Sequence, residues 1–424
     1  DMSATGFLAK LRDMSPLSPT FKSSSTRKYE DTAIDMKIEC ADNIKAPHAS
    51  CPPMELLAPG VSFFKHSSGG IQYHGIVTAN MSSGLVDGNN SAATVVHCCH
   101  GFGASSLSFL NLIHAAQERR IHASGANPST VWAAHDVFGF GFTAPICGLF
   151  ADGDRPEPLM DRLQLQSNAH AATAICARYG PRRALFVGHS MGAISAVCSA
   201  YQWLQSGREL AGVVLVAPAI SLATLRNRNK NNFVAAVSPA IQSALALAKV
   251  LQLFPAHVRR PSLASILRLG VSCDVFWALG LKFALGWHQS ASAATLEQYK
   301  CPMTRDHWAP WLVAFIEANL TVPPDVPPTP ADRDASPKTK PQALEPTLED
   351  MILRLLEAKV KVLVVHDPSD TFTPLTNSEE LVQHFQSETR DIALEVMESQ
   401  AGHILHETNP NELLEVMQRH GFAV

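Results

Sequence analysis

Residues 184–196 read ALFVGHSMGAISA, and this stretch decides the fold. Its first four residues have the apolar character of a buried strand, and the residues after the G-x-S-x-G pattern have the periodicity of a helix. Gly188 and Gly192 allow a turn tight enough to strain the backbone of Ser190 and lift its hydroxyl clear of a sheet. The following helix directs N–H groups and the positive end of its dipole to the same place. The stretch therefore predicts a nucleophilic serine at the carboxyl end of a strand.

The same alternation of strand and helix extends along the chain on both sides of this turn. Short apolar runs predict strands at 71–79, 94–99, 131–135, 184–187, 213–216, 360–365 and 392–396. Helical periodicity predicts helices at 107–119, 160–178, 191–205, 348–358, 377–386 and 410–419. Alternation of this kind predicts an α/β fold with a mostly parallel central sheet and helices on both of its faces.

One insertion interrupts this pattern. Strands and helices alternate through residues 56–220 and again through 346–424, and we expect these two parts to form one core. Residues 221–320 contain apolar segments of helical length and predict an inserted helical cap. A Pro-rich linker at 321–345 follows the cap, and residues 1–55 form an N-terminal tail that we interpret as a targeting segment or a disordered one.

Composition excludes several classes of protein. The 34 basic and 38 acidic side chains give a formal charge of -4. Nucleic-acid binding needs clustered Lys and Arg side chains, so this slightly acidic balance argues against a nucleic-acid partner. The nine cysteines form no C-x-x-C pair, so neither a disulfide framework nor a metal site is expected, and the motifs need no cofactor. No uninterrupted apolar run reaches the roughly 20 residues of a membrane span. We expect an intracellular protein in a reducing compartment.

A serine hydroxyl becomes a strong nucleophile only when a base takes its proton, and the base needs an acid to orient it. His403 follows the strand predicted at 392–396 and is the predicted base, because Gly402 before it lets the loop turn the imidazole inward. His406, three residues further on, is the alternative.

The acid is expected in the loop after the preceding strand. This loop offers two carboxylates, Asp367 and Asp370. Asp367 stands directly before a proline, a position where aspartate more often caps a turn, so Asp370 is the better partner for His403. The loop after the strand at 213–216 contains no carboxylate, which strengthens this choice.

Backbone N–H groups are expected to stabilise the negative charge that develops on a substrate oxygen. The loop after the strand at 94–99 supplies the candidates, which are His100, Gly101, Phe102 and Gly103. The N–H of Phe102, together with that of Met191 after the nucleophile, would form an oxyanion hole. The alternative is that this loop only ends the strand. The glycine-containing loop at 136–143 is expected to pack beside the site.

These motifs follow one another in a recognisable order: HGFG, D-x-x-G-x-G-x-T, GHSMG, LVAPA, the insert, H-x-x-x-D-x-x-x-P and GH. A predicted strand precedes each motif, and the insert follows LVAPA. The order resembles that of the α/β-hydrolase superfamily, over residues 56–220 and from 346 to the end. The resemblance implies a catalytic triad of Ser190, Asp370 and His403. HGFGAS together with LVAPAI resembles a serine-type group of plants and algae with plastidial members, so the expected compartment is the cytoplasm or a plastid.

Two positions depart from the superfamily pattern without touching this chemistry. Asp367 stands where glycine is usual, and Thr143 stands where serine is commoner. Ser190 argues against the haloalkane dehalogenase and epoxide hydrolase members, which use aspartate as the nucleophile. The resemblance therefore implies hydrolysis of a carboxylic ester through an acyl-enzyme. The alternatives are carbon–carbon bond hydrolysis or acyl transfer by the same triad, and a ligand-binding receptor or pseudoenzyme on the same fold.

The apolar composition of the insert predicts a lipophilic substrate. Its apolar side chains would form the core of the cap and a lid over the carboxyl edge of the sheet, where open α/β sheets bind ligands. These side chains are Phe233, Leu245, Leu247, Leu251, Phe254, Trp277, Leu281, Phe283 and Trp287. We therefore expect a lipophilic ester. Four basic residues are expected on an outer face of the cap that contacts a membrane surface, namely Arg259, Arg260, Arg268 and Lys282. The sequence leaves the oligomeric state open.

Overall fold

A computed structural model describes residues 57, 59–68, 70–78, 94–122, 130–145, 163–226, 233–239, 242, 256–286, 291–304, 308–320, 346–386 and 391–424. The predicted tail at 1–55 and the predicted linker at 321–345 lie outside these residues.

The described residues form nine strands in one sheet. They are β1 (Ser62–Ser68), β2 (Ile71–Val77), β3 (Thr94–Cys99), β4 (Thr130–His135), β5 (Ala144–Pro145), β6 (Arg183–His189), β7 (Glu209–Val216), β8 (Val362–His366) and β9 (Ile392–Val396). Their order across the sheet is β1-β2-β4-β3-β6-β7-β8-β9, and β5 pairs with β2. Pairings from β4 to β9 are parallel, whereas β1, β2 and β5 pair antiparallel.

The α-helices are α1 (Leu110–His122), α2 (Leu165–Ala177), α3 (Gly192–Gln205), α4 (Leu222–Arg226), α5 (Ala256–Val271), α6 (Asp274–Leu285), α7 (Ala293–Lys300), α8 (Trp308–Leu320), α9 (Leu348–Glu357), α10 (Leu375–Gln386), α11 (Leu405–Thr408) and α12 (Pro410–Arg419). Short 3-10 helices occupy Ser106–Phe109, Phe233–Ala236 and Cys301–Thr304. The helix predicted at 107–119 is thus a 3-10 turn followed by α1.

The two faces of the sheet carry separate hydrophobic cores. Along β6, Ala184 and Phe186 point to the core that contains α2, α3, α9 and α10, and Leu185 and Val187 point to the core that contains α1 and α12. This alternation is the period-two pattern of a strand, and because both faces are covered, every side chain from Ala184 onward in β6 is buried. The predicted α/β fold, with a mostly parallel sheet and helices on both faces, is confirmed.

The order of strands brings two loops together. The chain passes from β3 outward to β4 and later returns to place β6 on the other side of β3. The carboxyl ends of β3 and β6 are therefore neighbours at a point where the winding direction reverses, and open α/β sheets bind ligands at such points. HGFG follows β3 and Ser190 follows β6.

Strand β1 gave no signal in the sequence. Its residues Ser62–Ser68 are mostly half-buried or exposed, and they form a hairpin with β2 at the edge of the sheet. An edge strand with little buried surface lacks the apolar alternation from which strands are recognised.

Helices α5 to α8 lie between β7 and β8 in the chain, within the predicted cap. α5 packs on α8 through Ala264, Ala309 and Val313, and α6 packs against the end of the core through Leu285 and Ile404. No single helix among the described residues is long and apolar enough to cross a bilayer; one bent pair, Arg260–Val271 and Asp274–Leu285 at 83°, reaches that length and composition only when taken together.

Candidate active site

The G-x-S-x-G turn holds Ser190 in a strained backbone conformation. Its φ is +53°, a region that residues other than glycine rarely adopt. The Ser190 N–H donates to the carbonyl of Val216 over 2.9 Å, which joins the turn to the end of β7. A Cβ added at Gly192 would lie 2.1 Å from the Cys99 carbonyl oxygen, and one at Gly188 would lie 2.5 Å from the Gly192 oxygen. Gly192 is therefore required by the close packing of this turn against β3, and Gly188 by its close packing against the start of α3.

The HGFG loop lies directly beside this turn. A Cβ added at Gly101 would be 3.1 Å from the Cβ of Ser190. His100 holds the loop, because its Nε2 accepts from the Val137 N–H over 2.9 Å and its Nδ1 donates to the Gly101 carbonyl over 2.8 Å. Burial lowers the pKa of His100, so this side chain is a neutral structural link. The arrangement brings Phe102 to the same edge of the sheet as Ser190.

The loop at 136–143 supports the HGFG loop, as expected from its position beside the site. Asp136 is fully buried, and its two carboxylate oxygens accept from the N–H groups of Ser106 and Phe142, each over 2.7 Å. Burial opposes its ionisation, but His74, whose Nδ1 lies 3.7 Å from Oδ2, and the N–H of Phe142 outweigh this and lower the pKa of Asp136. A buried carboxylate thus joins the segment after β3 to the loop after β4.

Asp370 and His403 are in direct contact. His403 Nδ1 lies 2.8 Å from Asp370 Oδ2, and the Asp370 side chain is fully buried. The N–H groups of Phe372 and Thr373 donate to Asp370 Oδ1 over 2.7 and 3.1 Å, and the Thr373 hydroxyl donates to Oδ2 over 2.7 Å. Burial opposes ionisation, but the charge and hydrogen bond of His403, and His366 Nε2 at 3.4 Å from Oδ2, hold the pKa of Asp370 well below its usual range.

Asp367 and His406, which the sequence offered as the alternative acid and base, take part in other contacts. Asp367 accepts from the N–H groups of Ser369 over 2.8 Å and Ala401 over 2.7 Å. It therefore joins the loop after β8 (367–374), which we call the acid loop, to the loop after β9 (397–404), which we call the base loop. The His406 ring is fully buried, 4.8 Å from the Phe109 ring between centroids, and burial lowers its pKa to about 3. The pairing of residues in the structure is therefore His403 with Asp370.

His189, the variable residue between Gly188 and Ser190, connects three parts of the site. Its Nε2 lies 3.0 Å from the carbonyl oxygen of His403, and because a carbonyl only accepts, this nitrogen carries the proton. On its other side, Nδ1 would be 2.9 Å from a Cβ added at Gly101. Burial, then the nearby His406 and His403, lowers the pKa of His189 well below its usual range. His189 was assigned no role from the sequence. The signal available in the sequence was a histidine at a variable position of the G-x-S-x-G motif.

The cap contacts the acid and base loops through the end of α6. The His403 N–H donates to the Ala284 carbonyl over 2.7 Å, and the Thr371 hydroxyl donates to the Phe283 carbonyl over 2.9 Å. Gly402 has a φ of +69°, and a Cβ there would lie 2.6 Å from the Ala284 oxygen. The last turn of α6 therefore packs directly on the loop that carries the predicted base.

Aromatic side chains line the other side of the site. The Phe102 ring meets the Phe140 ring edge-on at 5.5 Å between centroids, and Phe140 meets Phe315 of α8 edge-on at 4.6 Å. Phe102 is 40% exposed, whereas Phe140 and Phe315 are buried. An aromatic cluster thus extends from the HGFG loop to the cap.

A buried acid also joins the cap to the core. Tyr299 of α7 donates its hydroxyl to Glu407 Oε1 over 2.5 Å, and Glu407 stands four residues after His403. Burial raises the pKa of Glu407 to about 8, although the Tyr299 hydrogen bond opposes this shift. In the folded protein, Glu407 is therefore protonated at neutral pH.

Among the described residues, no group of three or more His, Cys, Asp and Glu side chains is arranged to hold a metal ion.

Two buried histidines contact each other and an amide: His135 Nδ1 lies 3.0 Å from His97 Nε2, and His135 Nε2 lies 2.7 Å from Asn168 Oδ1. Burial lowers the pKa of both histidines, to about 4 for His135.

Comparison with known proteins agrees with this architecture. The model of the alpha/beta hydrolase family matches residues 95–416. No curated protein matches the chain. Among solved structures, the haloalkane dehalogenase DatA from Agrobacterium tumefaciens is 16% identical, with 87% of this chain and 100% of that chain covered and a TM-score of 0.50. Cfl2 from Burkholderia cenocepacia is 15% identical, with 87% and 98% covered and a TM-score of 0.51. Likeness at these identities shows the fold alone.

Replacing His189 by Ala should slow the reaction of Ser190 with a fluorophosphonate probe by roughly tenfold to a hundredfold, because the base loop and the HGFG loop lose a common contact. His189→Gln keeps an N–H donor and should recover part of the rate. The measurement is the labelling rate, with the melting temperature recorded for each variant. Equal rates in the wild type and both variants would show that His189 does not position the site.

Glu407 should contribute stability that is lost as pH rises from 4.5 to about 8, because the folded protein keeps a proton on this residue that the unfolded chain loses in this range. Glu407→Gln keeps a neutral side chain and should remove this contribution, on the order of a few kcal/mol at the upper end. Melting temperatures across the range test this, with Glu398→Gln, at an exposed position, as the control. A Glu407→Gln variant with an unchanged pH dependence would contradict it.

Proposed function

Because the chain belongs to the alpha/beta hydrolase family, we propose that it is a serine hydrolase that cleaves a carboxylic ester through Ser190, His403 and Asp370. The observation that carries this proposal is the contact of 2.8 Å between His403 Nδ1 and buried Asp370, beside a serine held at a φ of +53°. All three residues follow the carboxyl ends of parallel strands, so they share one edge of the sheet.

The proposed reaction begins with the proton of Ser190. Because His403 Nδ1 is bonded to Asp370, its Nε2 is left as the base that takes this proton while Oγ attacks the ester carbonyl. The N–H groups of Phe102 and Met191 would stabilise the resulting oxyanion. His403 then donates the proton to the leaving alcohol, and an acyl-enzyme remains. A water molecule, deprotonated by His403, hydrolyses the acyl-enzyme and restores Ser190.

The electrostatic surroundings of His403 favour its charged intermediate. Ionised Asp370 stabilises a protonated imidazole at its side. Burial lowers the pKa of His189 well below its usual range and that of His406 to about 3, so both neighbours stay neutral when His403 becomes charged. A positive charge on either ring would oppose the proton transfer.

The surroundings of Ser190 favour a lipophilic ester. The exposed ring of Phe102 lies in an aromatic cluster with Phe140 and Phe315, and its own N–H is a proposed oxyanion donor. An apolar acyl or alcohol group next to the reacting carbonyl would therefore pack on aromatic carbon rather than on polar side chains. A short polar ester would gain little from this surface.

Ser190→Ala should abolish labelling by a fluorophosphonate and lower ester turnover by about 10³-fold or more, because the nucleophile is lost. Ser199→Ala is the matched control, since Ser199 is a buried serine of α3 whose hydroxyl only donates to the Ser195 carbonyl. Full esterase activity in Ser190→Ala would refute the proposal. Labelling of Ser190 without turnover of any ester would favour the alternative of a ligand-binding receptor.

The wild type should cleave long-chain p-nitrophenyl esters with a higher kcat/KM than p-nitrophenyl acetate. Phe102→Ala should reduce the long-chain value by roughly tenfold through loss of apolar contact, and the acetate serves as the internal control because it barely reaches the ring. A strong preference for acetate in the wild type would contradict a lipophilic substrate while leaving the serine mechanism standing.

A further inference from the structure

Exposed hydrophobic side chains are concentrated on two helices of the cap. Six of the eight large hydrophobic residues that are exposed in the described part of the chain belong to α5 and α6. We use five of them to define the cap surface: Ile266, Leu269, Val275, Phe276 and Leu279. Leu269 is 75% exposed and Val275 is 62% exposed. Single exposed aliphatic side chains are common on protein surfaces, whereas a concentration of them on neighbouring helices indicates an interaction site.

The opposite sides of the same helices already form the inner packing of the cap. Ala264 of α5 is buried against α8, and Trp277 and Leu281 of α6 are buried toward the protein. α6 is therefore apolar around most of its circumference, with Asp274 and Lys282 as its only charged residues. A helix of this kind requires an apolar environment on its outer side as well as on its inner side.

The net charge of the segment that contains α5 and α6 is opposite in sign to that of the whole chain. Residues 256–286 contain four basic residues and one acidic residue, whereas the chain has 34 basic and 38 acidic residues. Arg260 donates to Glu317 of α8, and Asp274 accepts from Lys300 of α7. Arg260 is thus turned toward α8 rather than placed on the outer face as expected. Arg268 and Lys282 are exposed, one on each helix of the cap surface.

We infer that the cap surface binds the interface of an anionic lipid bilayer, with the apolar side chains at the acyl-chain boundary and Arg268 and Lys282 at the level of the headgroups. An exposed apolar face bordered by basic residues, in helices that are too short to span, is the pattern of interfacial binding. The two helix axes meet at 83° and so define a plane, and both helices can therefore lie along one flat surface.

The position of this surface relates it to the candidate active site. The last turn of α6 accepts hydrogen bonds from the His403 N–H and the Thr371 hydroxyl. α6 therefore carries part of the cap surface and also supports the loop of the predicted base, so a bilayer contact would bring lipophilic esters close to the candidate active site. This consequence rests on the proposed function, whereas the lipid contact itself does not.

Vesicle sedimentation tests the contact independently of catalysis. The full chain carrying Ser190→Ala is mixed with vesicles of phosphatidylcholine alone or of phosphatidylcholine with phosphatidylglycerol. We expect binding to the anionic vesicles, with weaker binding at high salt. Adding Leu269→Glu or Leu279→Glu, one on each helix, should weaken binding roughly tenfold or more by placing a carboxylate at the acyl boundary. Val396→Glu is the matched control, because Val396 is exposed outside the cap.

Each outcome decides for or against the inference. Loss of binding in the cap variants with normal binding in the Val396 variant supports it, and circular dichroism checks that every variant is folded. No binding of the starting protein to anionic vesicles overturns it, as does binding that neither cap substitution weakens. A concentration-dependent dimer that Leu279→Glu dissociates, with no vesicle binding, assigns the surface to a second copy of the chain instead. Esterase activity of the wild type on a soluble ester reports separately on the proposed function.

Discussion

The close packing of the Ser190 turn against the end of β3 is the constraint on which the rest of the site depends. Space at this point is so limited that a single added carbon at Gly192 would overlap the Cys99 carbonyl. The same packing sets Ser190 and the HGFG loop side by side, because both leave neighbouring strands at the point where the winding of the sheet reverses. The strain at Ser190 persists because β7, through the Val216 carbonyl, and β3 together determine the backbone there.

Buried side chains supply several of the hydrogen bonds that connect the loops around this turn. Asp367 joins the acid loop to the base loop, His189 joins the serine turn to the base loop, and His100 joins the HGFG loop to the loop after β4. Burial lowers the pKa of both His189 and His100, so these two rings are neutral. These hydrogen bonds connect the loops that carry Ser190, Asp370 and His403.

Sequence patterns predicted the elements whose signals are local. Strands β3 and β9 and helix α12 lie where periodicity places them, since each is bounded by turn residues and covered by apolar neighbours. Strand β1 was missed because its residues are scarcely buried. His189 and the pairing of Glu407 with Tyr299 were missed because these contacts join residues that are distant in the chain. The chain order of Ser190, Asp370 and His403 was visible in the motifs, and their catalytic roles stay a prediction, as does the kinship with the plant and algal group.

The contact between Gly402 and the last turn of α6 limits how the cap can change during evolution or in the laboratory. A cap is often regarded as a module that can be exchanged between relatives to alter substrate choice. In this chain the backbone of Ala284 is part of the support of His403, and Gly402 leaves no room for a side chain between them. A grafted cap would have to reproduce the end of α6 to atomic accuracy, so new specificities are more accessible through substitutions within the existing cap than through its replacement.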